Sequence, residues 1–123
     1  MTVGEAITKI DALRTNQYTT AQKVDWLSAV DGQIFIEIIK THHNPDIHHF
    51  NGYSASDTTD VLIVPEPYAE DFYTSFLMMQ IDRANAEFEK YNQSVVMYNN
   101  ALLTFRNWYN KTHMPLNKGR FRW

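Results

Sequence analysis

The stretch from Pro65 to Asn110, PEPYAEDFYTSFLMMQIDRANAEFEKYNQSVVMYNNALLTFRNWYN, constrains the fold more than any other part of the chain. Val95, Tyr98, Leu102, Phe105 and Tyr109 follow one another at steps of three and four residues, which puts them on one face of an α-helix. Tyr68, Phe72, Phe76, Met79 and Arg83 repeat the spacing in the preceding arm. The polar residues Tyr91 to Gln93 separate the arms, so the pattern predicts an antiparallel helical hairpin over about 67–91 and about 94–112.

Two shorter helices are predicted before it. Thr2 and Glu5 have capping-box spacing, and Val3, Ile7, Ile10 and Leu13 supply an apolar stripe that ends in a turn at Arg14 to Tyr18. Thr19 or Thr20 then caps a second helix, with Gln22 three residues beyond Thr19. It runs through Val24, Leu27, Val30 or Asp31, Ile34 and Ile38 to about Thr41. Gly32 interrupts this helix at about 1 kcal/mol relative to alanine, which reads as a close packing contact or a slight bend.

Residues 42–66 lose the helical pattern, and a loop of about 25 residues in a compact domain implies a binding role or a short internal element. Val61 to Val64 is the candidate element, a short strand. Pro65 and Pro67 end it and set up the next helix, whose first turn carries Glu70 and Asp71. After Asn110 the chain reads KTHMPLNKGRFRW, where Pro115 and Gly119 rule out a long helix, so 114–123 is predicted to be an extended tail. The fold class is therefore all-α: one domain over 1–123 with about four helices, a long loop and a tail.

Charge is distributed unevenly. The total is −3, but Lys9, Arg14, Lys23, Lys40 and Arg83 face all 14 acids in residues 1–89, giving −9. Lys90, Arg106, Lys111, Lys118, Arg120 and Arg122 stand without an acid in residues 90–123, giving +6. Such a dipole points to a partner surface. A mean hydropathy of −0.43 and the lack of any apolar run near 18 residues argue against a membrane span. The chain has no cysteine, and MTVGEAITKIDAL lacks the layout of a signal peptide, so synthesis and action in a cytoplasm is the expectation.

Little in the sequence carries chemistry. His42, His43, His48 and His49, with Asp46, form the one cluster of metal-ligand types, but adjacent loop histidines seldom converge on one ion, and a hydrated loop or packed pair is the better reading. Asp71, Asp82, Glu87 and Glu89 read as a solvated helix face beside Arg83 and Lys90. No phosphate-cradling glycine loop, nucleophile elbow or zinc-peptidase helix is present. The expectation is a protein that is not an enzyme and uses no cofactor or metal. Tyr73, Leu77, Met78, Val96, Met97, Leu103 and Trp108 fall off the main stripes, more apolar surface than one small core needs, which predicts self-association.

Four stretches carry a family likeness: QYTTAQKVDWLSAVDGQIFIEII at 17–39, LIVPEPYAEDFY at 62–73, QIDRANAEFEKYNQS at 80–94 and YNKTHMP at 109–115. They resemble the head-tail connector, or neck adaptor, proteins of tailed bacteriophages and prophages. The resemblance implies a virion protein of the neck, assembled in the host bacterial cytoplasm as a ring of typically twelve copies beneath the capsid portal. Double-stranded DNA passes through such a ring without sequence-specific binding. The implied partners are further copies of the chain, the portal protein and a downstream neck or tail protein, with no membrane. The resemblance also implies that the carboxy-terminal segment reaches the portal, which assigns docking to Lys118, Arg120, Phe121, Arg122 and Trp123.

Ring closure needs two different complementary patches on each subunit, and Asp71, Asp82, Glu87, Arg106 and Lys111 are the candidate inter-subunit charges. An acidic body also suits a conduit that must not grip phosphates. The alternative from another class is a small helical DNA-binding regulator using the basic residues of 90–123, against which stands the acidic total.

Overall fold

The computed structural model describes residues 1–42 and 48–113. Among them the architecture is all-α: α1 (Val3–Leu13), α2 (Thr20–Ile34) running into a π-helical turn (Phe35–Ile39), α3 (Ala69–Ala84) and α4 (Phe88–Thr112). None of these helices is long and apolar enough to cross a membrane.

Both amino-terminal helices start on reciprocal caps. Glu5 N–H donates to Thr2 Oγ1 at 3.1 Å while Thr2 N–H donates to Glu5 Oε1 at 2.8 Å. Gln22 N–H and Thr19 Oγ1, then Thr19 N–H and Gln22 Oε1, repeat the arrangement at 3.1 and 2.8 Å. Each pair satisfies donors that a helix start leaves open. α2 does not continue to Thr41 as regular α-helix. An extra residue enters at Phe35–Ile39, where Lys40 N–H donates to the Phe35 carbonyl. That residue turns the apolar stripe by about 100°. Ile38 and its neighbour Ile39 are consequently both buried, while Ile36 stays 63% exposed.

α3 is the centre of the molecule. It packs against α1, α2 and α4, and 11 of its 16 residues are buried, so it shows no polar face over most of its length. Ring pairs Tyr68–Trp108 and Phe76–Tyr98, with centroids 5.3 and 5.6 Å apart, set α3 and α4 antiparallel. The chain reverses at Asn85–Glu87, not at Tyr91–Gln93, which lie inside α4. Ala86 has φ of 57°, and Ala86 and Glu87 N–H donate to the Arg83 and Asp82 carbonyls. The early reversal follows from Ser94, whose hydroxyl donates to the buried Asp82 carboxylate at 2.6 Å and so requires α4 to be already packed on α3 there.

The predicted strand at Val61 to Val64 is not one. Only Val61 bridges, to Thr2, with Leu62 N–H donating to the Met1 carbonyl and Val3 N–H to that of Asp60, both at 2.9 Å. The next two amides turn to side chains instead: Ile63 N–H donates to Asp31 and Val64 N–H to the Tyr73 hydroxyl oxygen. Leu62 and Val64 are buried, so the segment closes the core as an extended strap.

Candidate functional site

Two buried carboxylates hold the frame. Asp31 sits at the core stripe of α2 with no exposed surface. It accepts from the Tyr73 hydroxyl at 2.7 Å, from the Tyr53 hydroxyl, and from Ile63 N–H at 3.1 Å. Burial pushes its carboxyl up to about 6 against the pull of these three donors. Burial and the adjacent Asp31 charge likewise raise both phenols. This network ties α2, α3 and the strap together, and sequence reasoning missed it. The signal was an acid alternating with Val24, Leu27, Ile34 and Ile38 on one apolar stripe, because a carboxylate in that place needs donors around it.

Asp82 is the second. The sequence pattern put it on a solvated face and among the inter-subunit candidates, but it is 1% exposed and bound within its own chain. Arg14 grips both its oxygens, Nε to Oδ1 and Nη2 to Oδ2 at 3.0 Å each, and Ser94 adds a third hydrogen bond. Burial opposes ionisation, yet Arg14 and Ser94 outweigh it and hold the carboxyl below its ordinary value. Asp82 therefore joins α1, α3 and α4 and is not available to a neighbour.

The other candidate charges lie apart from each other. Asp71 is exposed on α3 at the wall of a groove of about 380 Å³, which faces Met97 and Asn100 of α4. Glu87 pairs with Lys90 at 2.9 Å beside the hairpin turn. Arg106 and Lys111 are exposed on α4. The docking residues Lys118, Arg120, Phe121, Arg122 and Trp123 fall outside the described residues, as do His43 and Asp46.

The remaining histidines do not converge. His42 is buried; its Nδ1 donates to the Ile38 carbonyl and its Nε2 meets the Asn110 side chain at 2.6 Å. Its ring stands edge-on to Tyr109, centroids 4.8 Å apart, while His48 and His49 are exposed. His42 thus anchors the end of the π-helical turn to the last turns of α4. Among the described residues no group of three or more His, Cys, Asp or Glu side chains is placed to hold a metal.

What stands open is the outer face of α4. Only Ser94, Phe105 and Tyr109 of its 25 residues are buried. Val96 is 59% exposed, Met97 50% and Leu103 55%, with Phe88 at the helix start 70% exposed. Val96 and Leu103 are two turns apart on the side away from α3, among the exposed Asn92, Gln93, Asn99, Asn100, Arg106 and Asn107. The off-stripe residues of the hairpin thus divide: Tyr73, Leu77 and Met78 are buried by the first two helices and α4, Trp108 is half-buried, and Val96, Met97 and Leu103 are uncovered.

Compared with family models, with curated proteins and with solved structures, the chain matches none.

Proposed function

We propose that this chain is a structural subunit of a bacteriophage neck: a head-tail connector that assembles as a ring under the capsid portal around the DNA channel. The reading is of a non-enzymatic protein whose work is done by surfaces. The observation that carries it is the outer face of α4, where Val96 and Leu103 are uncovered beside the cations Arg106 and Lys111 on one long helix. Such a face is an interaction surface by its composition, an apolar centre with a polar rim. The family likeness supplies the identity of the assembly, and the basic end of the chain supplies a complement to the acids of residues 1–89.

The test uses phage particles grown in bacteria that produce a tagged copy of the full chain. The tagged chain should co-purify with DNA-filled capsids. Deleting Asn117 to Trp123 should leave helical content unchanged while removing the chain from the particles. Changing Arg120 and Arg122 together to Glu should weaken attachment in the same direction, more at low salt, where charge contacts are least screened. A full chain absent from purified particles overturns the connector reading. A truncated chain retained at the normal level overturns portal docking through the tail.

A further inference from the structure

The outer face of α4 has an internal symmetry that bears on what covers it. About a point midway between Asn99 and Asn100, equivalent chemistry recurs at equal distances in both directions. Val96 mirrors Leu103, Asn92 mirrors Asn107, and Asn99 mirrors Asn100. All six side chains are exposed. Farther out the mirror places unlike partners: Gln93 against Arg106 and Phe88 against Lys111, with Glu89 one residue inside Phe88. A patch of this kind is complementary to itself when turned by half a revolution, which is the requirement for a two-fold contact.

From this we infer that the outer face of α4 pairs with the same face of a second copy of the chain, the two helices running antiparallel about a dyad between Asn99 and Asn100. In that arrangement Val96 of each copy packs on the other copy's Leu103, and the four asparagines of each copy form a neutral rim free of like-charge repulsion. Glu89 of each copy meets the other copy's Lys111, so two ion pairs close the ends. Opposed helix dipoles favour the same orientation. Parallel pairing offers none of this, because it sets Glu89 beside Glu89 and Lys111 beside Lys111.

The strip that such a contact covers is modest. A helix of 25 residues is about 37 Å long and about 10 Å wide, so each copy contributes roughly 400 Å². The total of about 800 Å² belongs with weak, reversible contacts. The pairing is therefore a state of the free chain at micromolar concentration that opens readily, and it rests on α4 alone, independently of the connector reading.

The absence of cysteine makes the test clean, since any cysteine introduced is the only one present. Full-length chains carrying Asn99→Cys, Asn100→Cys or Glu89→Cys are oxidised gently at micromolar concentration and run without reductant. Positions 99 and 100 adjoin the dyad and should give mostly covalent dimer. Two copies of position 89 lie roughly 30 Å apart in the antiparallel pair and should stay monomeric. Adding Leu103→Glu to Asn99→Cys should abolish the crosslink. Absence of covalent dimer at both 99 and 100, or equal crosslinking at 89, overturns the proposal. A chain that crosslinks at 99 but never enters phage particles would sink the connector reading and leave this one standing.

Discussion

α3 and α4 are consecutive helices, packed on each other and built from the same mixture of aromatic, aliphatic and polar residues, yet they are used in opposite ways. Of the 16 residues of α3, 11 are buried, including Thr74, Ser75, Gln80 and Asp82; of the 25 residues of α4, three are. The difference is positional. α3 is enclosed by α1, α2 and α4, so even its polar side chains must find partners inside, and the hydroxyls of Thr74 and Ser75 donate to the carbonyls of Glu70 and Asp71 one turn back. α4 touches α3 along one stripe and leaves its other side to whatever comes next. Surplus apolar surface in a sequence therefore has two distinct fates, and only position relative to the remaining helices decides between them.

The sharpest way to break this contrast is to truncate matched leucines. Leu77→Ala, in α3 with no exposed surface, should lower unfolding stability by about 3 kcal/mol or more. Leu103→Ala, half exposed on α4, should change it by less than about 0.5 kcal/mol in dilute protein. Urea unfolding followed by circular dichroism decides; equal losses would mean that α4 is covered within the monomer.

The two buried carboxylates should move stability in opposite directions with pH. Asp31 has its folded value raised from 3.8 to about 6, so its contribution is largest below about pH 4 and is lost as pH rises to about 6. The change is of order 3 kcal/mol. Asp31→Asn should flatten that window in a series of urea midpoints; an unaltered pH profile would show that Asp31 is not the group responsible. Asp82 is lowered, so its contribution is present above the ordinary carboxylate range and is lost as pH falls through its folded value. Asp82→Asn should cost about 2 kcal/mol at neutral pH, since Arg14 is left without its charge partner, and should remove the acid-side loss. The same midpoints read this variant, and a neutral-pH stability equal to that of the native chain would show that the pair adds nothing.

A small effect of the opposite sign is expected at Gly32. Among the described residues, a methyl group there would meet the Phe50 ring, at an ordinary 3.9 Å. Gly32→Ala should therefore stabilise α2 by up to about 1 kcal/mol, seen as a higher melting temperature. A lower one would show that the following π-helical turn depends on the glycine.

Much of this fold was legible in the sequence because the relevant signals are local. Thr2 with Glu5 and Thr19 with Gln22 fix two helix starts within four residues of chain, and the stripe from Val95 to Tyr109 fixes the inward side of α4. The reversal at Asn85–Glu87 was not legible, because Arg14, Asp82 and Ser94 come together from three helices and no spacing reveals that. The strap at Leu62 to Val64 failed as a strand for a similar reason: its amides are taken by Asp31 and Tyr73, distant in sequence. On the candidate surface, the excess of apolar residues was visible from the periodicity. Which residues remained uncovered was not, since Leu77 and Leu103 look alike until α1 and α2 are in place.

The claim that the outer face of α4 is built for a partner is tested most directly by the mass of the chain in solution, measured by light scattering over a concentration series. The native chain should move from 14.4 kDa towards twice that value as concentration rises, while Val96→Glu combined with Leu103→Glu should remain at 14.4 kDa with unchanged helical content. A native chain that stays at 14.4 kDa up to its solubility limit, or a double variant that associates as readily as the native chain, would contradict it.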